Sequence, residues 1–228
     1  MNSYTVQEVA SKIDHAVLKP EQTEADVRIA AAMCIERGVA SLCVRPSDVA
    51  LAAELLQDSP VMVSCVLSFP HGADTMATKV FQAQQAIDDG VREIDMVMNI
   101  GHFLSGYYKA VRDDIKAVVE TAHAHNVAVK VIQESGYLTL PQVAHACELA
   151  LEVNADFVKT STGFAPTSAS PEIVAAMVAT VGGKMGIKAS GGIRTWEQAV
   201  GYLEQGATRL GIGSTAAVLD GGVADGDY

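Results

Sequence analysis

Eight short apolar segments recur along the chain, and a longer stretch of helical periodicity separates each one from the next. The segments read KIDHAVL, ASLCVRP, VMVSCVLSFP, EIDMVMNIG, VAVKVIQESG, FVKTSTG, GIKASGG and TRLGIGS. Strands that alternate with helices predict a parallel sheet with helical crossovers. Eight such units within 228 residues predict a single-domain (β/α)₈ TIM barrel, a fold of about 250 residues. The alternative is an open doubly wound sheet, which normally carries a GxGxxG loop after its first strand that this sequence lacks.

Capping signals mark where the predicted helices begin and end. Thr23 with Asp26 forms a start signal, and Pro46, Pro171 and Thr195 open later helices. Glycine follows the last helical residues in the segments ERG, DDG and EQG, as is typical of helix ends. These boundaries give each predicted strand its own following helix.

The sequence predicts one barrel domain over residues 1–220 and a flexible tail over residues 221–228. The tail is rich in Gly and Asp and ends in Tyr228, so it has little apolar surface to bury. A homodimer through the outer helices is compatible with a barrel of this size, although no exposed apolar stripe in the sequence indicates one.

Composition excludes several classes of partner. The formal net charge of −11 argues against nucleic acid and anionic membranes, which need a basic surface. The sequence contains neither a bilayer-length apolar run nor a signal-peptide pattern at its start, so we expect a cytoplasmic protein. The four cysteines lack metal-ligand spacing and are expected to be reduced and buried.

Charged residues share one face of four successive predicted strands. Side chains alternate between the two faces of a strand, and the apolar face of a barrel strand must pack beneath the helices. The other face then directs Asp95, Lys130, Lys159 and Lys188 into the barrel, near the carboxyl ends where active sites of this fold lie. The alternative is a structural ion-pair network in which Asp95 and Glu134 neutralise the lysines.

A close pair of lysines suits one kind of chemistry. Inward amines on adjacent strands can approach to about 6 Å, where they repel by about 3 kcal/mol at an effective dielectric near 20. One amine can then be neutral near pH 7 and attack a carbonyl to form a Schiff base. The strand face on which each lysine lies does not decide whether Lys159 or Lys188 is that nucleophile. The six histidines form no compact metal-binding set, so we expect no metal and no cofactor.

Two glycine-rich segments follow the last two predicted strands. ASGGIRT supplies Gly191, Gly192 and Arg194, and GIGST supplies Gly211, Gly213 and Ser214. The recurrent phosphate site of this fold is built from these two loops and a short helix amino terminus. A phosphorylated sugar or aldehyde is therefore the expected ligand.

The chain resembles the 2-deoxyribose-5-phosphate aldolases of the class I, DeoC type over essentially its whole length. The segments IDHAVLKP, SLCVRP, EIDMVMNIG, VKVIQESG, FVKTSTGF and GIKASGGIR occur in the order and spacing of that family. The resemblance implies reversible cleavage of 2-deoxy-D-ribose 5-phosphate to acetaldehyde and D-glyceraldehyde 3-phosphate. It assigns the Schiff base to Lys159, the lowering of its pKa to Lys188, proton transfer to Asp95, and a further proton step to Tyr228.

The resemblance also implies a set of substrate- and phosphate-binding residues. We expect these to be Asp14, Cys43, Lys130, Thr162, Gly163, Gly191, Gly192, Arg194, Gly211, Gly213 and Ser214. Ala16 and Gly213 stand where relatives often carry a hydroxyl side chain, which predicts weaker substrate affinity but unchanged chemistry. Two other functions remain open: a non-catalytic phosphosugar-binding barrel, and a lysine-dependent lyase that uses a ketone donor such as dihydroxyacetone phosphate.

Overall fold

The computed structural model describes residues 4–166 and 168–223. Eight parallel strands form a closed barrel in chain order, with the last strand paired to the first. The strands are β1 Ile13–Val17, β2 Ser41–Val44, β3 Met62–Leu67, β4 Glu93–Val97, β5 Ala128–Ile132, β6 Phe157–Lys159, β7 Gly186–Ser190 and β8 Arg209–Ile212. The predicted barrel is confirmed, and each of the eight predicted segments contains one of these strands.

Helices follow the strands around the outside of the barrel. They are α1 Val6–Ala10, α2 Glu24–Arg37, α3 Val49–Leu56, α4 Met76–Asp88, α5 Ile100–Leu104, α6 Tyr108–His123, α7 Leu140–Glu152, α8 Pro171–Val181, α9 Trp196–Gln205 and α10 Thr215–Leu219. No helix in the described part of the chain is long and apolar enough to cross a membrane.

The capping signals read from the sequence are present in the structure. Thr23 and Asp26 form a capping box at the start of α2, and Gly38 ends that helix with a left-handed backbone. Ser170 and Thr195 accept hydrogen bonds from backbone N–H groups in the first turns of α8 and α9. Local sequence therefore sets where these helices begin and end.

The strand faces divide as the alternation predicts. Ile94, Met96 and Met98 of the β4 segment are buried in the apolar layer between barrel and helices, together with helix residues such as Phe103 and Ile115. The opposite faces of the strands point into the barrel and carry most of the buried charge. The barrel wall thus separates an apolar shell from a polar interior.

Strand register and the alternation of side chains arrange the barrel interior in layers of four residues. Even-numbered and odd-numbered strands supply the layers in turn. The bottom layer comprises Ser41, Glu93, Phe157 and Arg209. The middle layer comprises Asp14, Ser64, Lys130 and Lys188. The upper layer, nearest the carboxyl ends of the strands, comprises Cys43, Asp95, Lys159 and Gly211. Charged groups therefore occupy every one of these three layers.

Candidate active site

Asp95 on β4 lies at the centre of the charged interior. Its Oδ1 accepts a hydrogen bond from Lys130 at 2.8 Å, and its Oδ2 accepts from Lys159 at 2.8 Å and from Lys188 at 2.7 Å. All four residues are buried. Backbone register places them together, because Asp95 pairs with Lys130 across β4 and β5, and Lys159 pairs with Lys188 across β6 and β7.

The Lys159 and Lys188 amines are close neighbours. Both nitrogens contact the same carboxylate oxygen, at 2.8 and 2.7 Å, so they are separated by at most about 5.5 Å. This separation is within the approach of about 6 Å expected for inward amines on adjacent strands. The structure therefore places two lysines near enough for each to influence the proton affinity of the other.

The carboxylates hold Lys188 in its charged form. Burial by itself favours the neutral amine, but Asp14 at 2.5 Å and Asp95 at 2.7 Å outweigh it and raise the pKa of Lys188. The pKa of Lys130 is raised in the same way by Asp14, Asp95 and Glu93, against the effect of burial. Lys130 and Lys188 are therefore cations at neutral pH.

The lysines in turn keep Asp95 ionised. Burial would raise the pKa of this carboxyl, but the charges of Lys130, Lys159 and Lys188 hold it well below its ordinary value. Asp95 can thus accept hydrogen bonds from its neighbours as a carboxylate throughout the physiological pH range.

Two expected substrate-binding residues, Asp14 and Lys130, lie in the layer below Lys159. Asp14 accepts hydrogen bonds from Ser41, Lys188 and Arg209, and Lys130 is enclosed by carboxylates; both are fully buried in the middle layer. Their contacts here are with other charged side chains, and direct substrate contact by Asp14 or Lys130 stays a prediction. Strand register puts both residues in the same layer as Lys188, one below the layer that contains Lys159.

Sequence reasoning put Glu93 on the face of Asp95 but gave no role to it or to Arg209, the charged groups of the bottom layer. Arg209 donates hydrogen bonds to Asp14 at 2.6 Å and to both oxygens of Glu93 at 2.9 and 3.0 Å. Phe157 lies beside them, with its ring centroid 5.3 Å from the Arg209 guanidinium carbon. The signal was available, because the alternation that directs Asp95 inward also directs Glu93 inward, and β8 has the same pattern starting at Arg209.

The charge of Lys159 acts on Glu134, as the ion-pair interpretation expected, while the hydrogen bonds that Glu134 accepts come from Thr162. Glu134 accepts hydrogen bonds from the backbone N–H and the hydroxyl of Thr162, and its own backbone is left-handed with φ of 48°. Burial raises the pKa of Glu134, while the hydrogen bonds from Thr162 lower it. Glu134 therefore holds the loop after β6, which contains the expected binding residues Thr162 and Gly163.

Glycines from two loops meet at the carboxyl end of the barrel. Gly163, Gly191 and Gly192 all have positive φ values, of 87°, 86° and 73°. A Cβ atom built on Gly191 would lie 3.0 Å from the Ser168 hydroxyl oxygen and 3.4 Å from the Gly163 Cα atom. The loops after β6 and β7 are thus in contact. A side chain at Gly191 would press against Ser168 and Gly163 of the loop after β6.

The β8 segment differs from the expectation. A Cβ atom on Gly211 would lie 2.3 Å from the Ser190 hydroxyl oxygen and 3.1 Å from Lys188 Cε. Gly211 therefore makes room for Lys188 in the upper layer and lies below the loop in which a phosphate would bind. Ser214 precedes α10, which has only five residues, so the dipole of that helix offers less to an anion than the sequence suggested.

An apolar wall adjoins the glycine loops, because Phe164 directly follows Gly163. Phe69 and Phe164 pack edge to face, with ring centroids 5.3 Å apart. They border a cavity of about 490 Å³ that Leu18 and Val66 also line. Cys43 is buried beneath this wall beside Ala16. The missing hydroxyl at Ala16 thus leaves the wall apolar at this point.

The remaining predicted site residues have less defined surroundings. Gly213 is half-buried and lines a small cavity with His15 and Thr215, and the backbone N–H of Arg194 donates to Gln198. Tyr228 lies outside the described residues. Within the described ranges, no group of three or more His, Cys, Asp or Glu side chains is arranged to hold a metal ion.

Comparison with known proteins identifies the family of the chain. The family model described as DeoC/LacD family aldolase matches residues 8–222. A protein from Streptococcus suis named deoxyribose-phosphate aldolase is 49% identical over 216 residues, which cover 95% of this chain and 97% of that protein. A protein of the same name from Carboxydothermus hydrogenoformans is 46% identical and covers 96% of this chain and 97% of its own length.

Solved structures agree with the sequence comparison. The aldolase QR15 superposes with a TM-score of 0.89 at 36% identity and covers 93% of this chain and 94% of its own. The deoxyribose phosphate aldolase from Aeropyrum pernix, described as a tetramer, superposes with a TM-score of 0.89 at 29% identity, covering 95% and 91%. Both similarities therefore extend over more than nine-tenths of this chain.

Proposed function

Because the chain belongs to the DeoC/LacD family of aldolases, we propose that it is a class I deoxyribose-phosphate aldolase. It cleaves 2-deoxy-D-ribose 5-phosphate reversibly to acetaldehyde and D-glyceraldehyde 3-phosphate through a Schiff base. The observation that carries this proposal is the pair of lysine amines on a single oxygen of Asp95. A barrel that only bound phosphosugars would have no use for such a pair.

Lys159 is the nucleophile in this proposal. Carboxylates raise the pKa of both Lys130 and Lys188, so neither of these lysines supplies a neutral amine near pH 7. The charge of Lys188 opposes a second positive charge on Lys159, while Asp95, 2.8 Å from the Lys159 amine, favours it. The free Lys159 amine attacks the C1 aldehyde of the open-chain sugar, and loss of water gives a protonated imine.

The imine draws electrons from the C2–C3 bond. A base removes the proton of the C3 hydroxyl, and the C2–C3 bond breaks. D-Glyceraldehyde 3-phosphate leaves, and the electron pair of the broken bond forms an enamine on Lys159. A proton then adds to the terminal enamine carbon, and water releases acetaldehyde. Asp95, held between Lys159 and Lys188, is placed to relay these protons with an intervening water.

The glycine loops would hold the phosphate. Gly163, Gly191 and Gly192 bring backbone N–H groups to the carboxyl end of the barrel with no side chain in the way. Thr162, fixed by Glu134, positions the first of these loops. Arg194, Gly213 and Ser214 remain predicted contributors, and Tyr228 remains a predicted participant in the enamine protonation.

Borohydride trapping tests the proposal. Incubation with acetaldehyde and borohydride should reduce the imine and add one ethyl group to the protein, located at Lys159 by peptide mass spectrometry. Lys159→Arg should abolish the adduct and lower kcat/KM by about 10³-fold or more, whereas the exposed control Lys116→Arg should change neither. A label on another lysine would contradict the assignment, and trapping of dihydroxyacetone phosphate instead of acetaldehyde would favour the ketone-donor lyase.

Metal, assembly and location remain open to direct measurement. Since the imine supplies the electron withdrawal, we expect prior treatment with a chelator to leave activity unchanged. The sequence is compatible with a homodimer, and a tetramer, as described for the Aeropyrum pernix protein, is the competing outcome; light scattering would distinguish them. The predicted compartment is the cytoplasm, which cell fractionation would test.

A further inference from the structure

Arg209 is a half-buried cation that the chemistry above does not use. It is the first residue of β8, its side chain is 12% exposed, and it lies in the bottom layer, two layers below Lys159. Its guanidinium binds Asp14 and Glu93 together, with N–O distances between 2.6 and 3.0 Å. Because it is so far from the mouth, Arg209 is not in a position to contact a sugar phosphate.

The three interior layers carry unequal charge. Among the described residues of these layers, the cations are Lys130, Lys159, Lys188 and Arg209, and the carboxylates are Asp14, Glu93 and Asp95. With every group ionised, four positive charges face three negative ones. Within these three layers the excess positive charge disfavours the last proton, while Glu134, whose charge also interacts with Lys159, lies beyond them after β5.

Arg209 also determines which cations the carboxylates can neutralise. Asp14 Oδ1 binds Arg209, while Asp14 Oδ2 binds Lys188. Glu93 likewise contacts Arg209 with Oε1 and Lys130 with Oε2. Without Arg209, the full charge of both carboxylates would stabilise the ammonium forms above them.

We propose that Arg209 is a positioning residue that sets how readily the lysine pair loses a proton. By binding Asp14 and Glu93 from below, it limits the negative charge that these carboxylates direct at Lys188 and Lys130, the neighbours of Lys159. The proposal rests on the Schiff-base function proposed above. An arginine suits the role because its guanidinium does not deprotonate and can bind two carboxylates at once.

Other charged and titratable groups lie in and beside the barrel interior that contains the lysine pair. They are Asp14 on β1, Cys43 on β2, Cys65 on β3, Glu93 and Asp95 on β4, Lys130 on β5, Glu134 after β5, Lys188 on β7 and Arg209 on β8. The experiment therefore changes only the charge of the bottom layer and leaves the groups in the upper layer intact.

The test measures how the rate of borohydride trapping with acetaldehyde, and kcat/KM, depend on pH. Each profile has an acidic limb, the low-pH range in which the rate falls because the Lys159 amine is protonated. Removal of one interior cation by Arg209→Met should move this limb to higher pH by about one unit in both profiles. Trapping below the limb would then be about tenfold slower. Arg209→Lys keeps the charge and should leave the limb in place.

Two further variants keep the test decisive should Arg209→Met fold poorly. Glu93→Gln removes one negative charge and should move the limb to lower pH, opposite to Arg209→Met. The double variant Arg209→Met with Glu93→Gln removes one charge of each sign and should return the limb close to that of the unmodified protein. Limbs that coincide in all folded variants, or shift in the opposite directions, would overturn the proposal.

The outcome is separable from the proposed function. Failure of the unmodified protein to trap acetaldehyde would refute the Schiff-base mechanism itself. Trapping on Lys159 with a limb insensitive to Arg209 and Glu93 would refute only the role of Arg209.

Discussion

At Asp95, one carboxylate receives hydrogen bonds from three lysines in a site closed to bulk water. A buried charge is costly unless it is paired, so each of these amines depends on Asp95 for part of its solvation. The same carboxylate is positioned to relay protons in the proposed reaction. Structural and chemical roles of Asp95 therefore coincide, and the ion-pair interpretation does not compete with the catalytic one.

Cys43 provides a prediction at the residue scale. Burial and the charge of Asp95 raise the pKa of its thiol, although the nearby lysines oppose the shift. Little thiolate is therefore present at neutral pH, and we expect only slow inactivation by the α,β-unsaturated aldehydes that form from acetaldehyde. Cys43→Ser should remove this slow inactivation and leave the initial rate within about twofold.

Cys147 supplies the matched control for that prediction, because it is also a buried thiol but lies on α7, outside the barrel interior. The inactivation time course of Cys147→Ser should follow that of the unmodified protein. Equal inactivation of the Cys43→Ser variant and the unmodified protein would show that another group reacts.

At the scale of elements, Gly211 on β8 leaves space for the Ser190 and Lys188 side chains of β7. Gly211→Ala would put a Cβ atom 2.3 Å from the Ser190 hydroxyl oxygen and 3.1 Å from Lys188 Cε. We expect a loss of about 1–3 kcal/mol in the free energy of unfolding, as is typical of overpacked cores. Displacement of Lys188 should also slow borohydride trapping, which denaturant titration and trapping would measure together.

Gly201 in α9 is the control for this prediction. A Cβ atom there would meet nothing within 4 Å, and the residue lies within the helix. Gly201→Ala should stabilise the protein by up to about 1 kcal/mol through helix propensity, with unchanged trapping. Similar effects of the two substitutions would mean that the β7–β8 contact does not constrain Lys188.

At the scale of the whole molecule, His15 connects the first strand to the last helix. Its Nδ1 lies 2.9 Å from the Thr215 hydroxyl oxygen, and burial lowers its pKa to about 4. The unfolded chain binds a proton at His15 below about pH 6.5, whereas the folded protein does not until about pH 4. Stability from this group is thus complete above about pH 6.5 and lost as the pH falls toward 4.

The expected loss is about 3 kcal/mol between pH 6.5 and 4, measured as the free energy of unfolding in urea. His15→Gln cannot titrate and should flatten this part of the pH dependence. His125 is exposed, so His125→Gln should retain the original slope. Parallel slopes for all three proteins would mean that His15 is not held neutral by the fold.

Much of the fold and the centre of the site could be read from the chain. Alternation of apolar residues identified the strands, and capping residues identified helix ends, because both signals depend on neighbours in sequence. Alternation likewise predicted that Asp95, Lys130, Lys159 and Lys188 face inward. Three features were not predicted: the surroundings of Asp14 and Lys130, the space that Gly211 leaves, and the pairing of Arg209 with Glu93. They depend on the relative heights of strands that are distant in sequence.

The sequence by itself determined the class of fold, the side of the strand on which each lysine lies, and the family to which the chain belongs. Periodicity and motif order are properties of the chain and need no knowledge of packing. Only the tertiary structure decided that two lysines share one oxygen of Asp95 and that Arg209 binds Asp14 and Glu93 beneath them. Closure of the barrel sets the register between strands, and that register brings charges from six different strands to within hydrogen-bonding distance of one another.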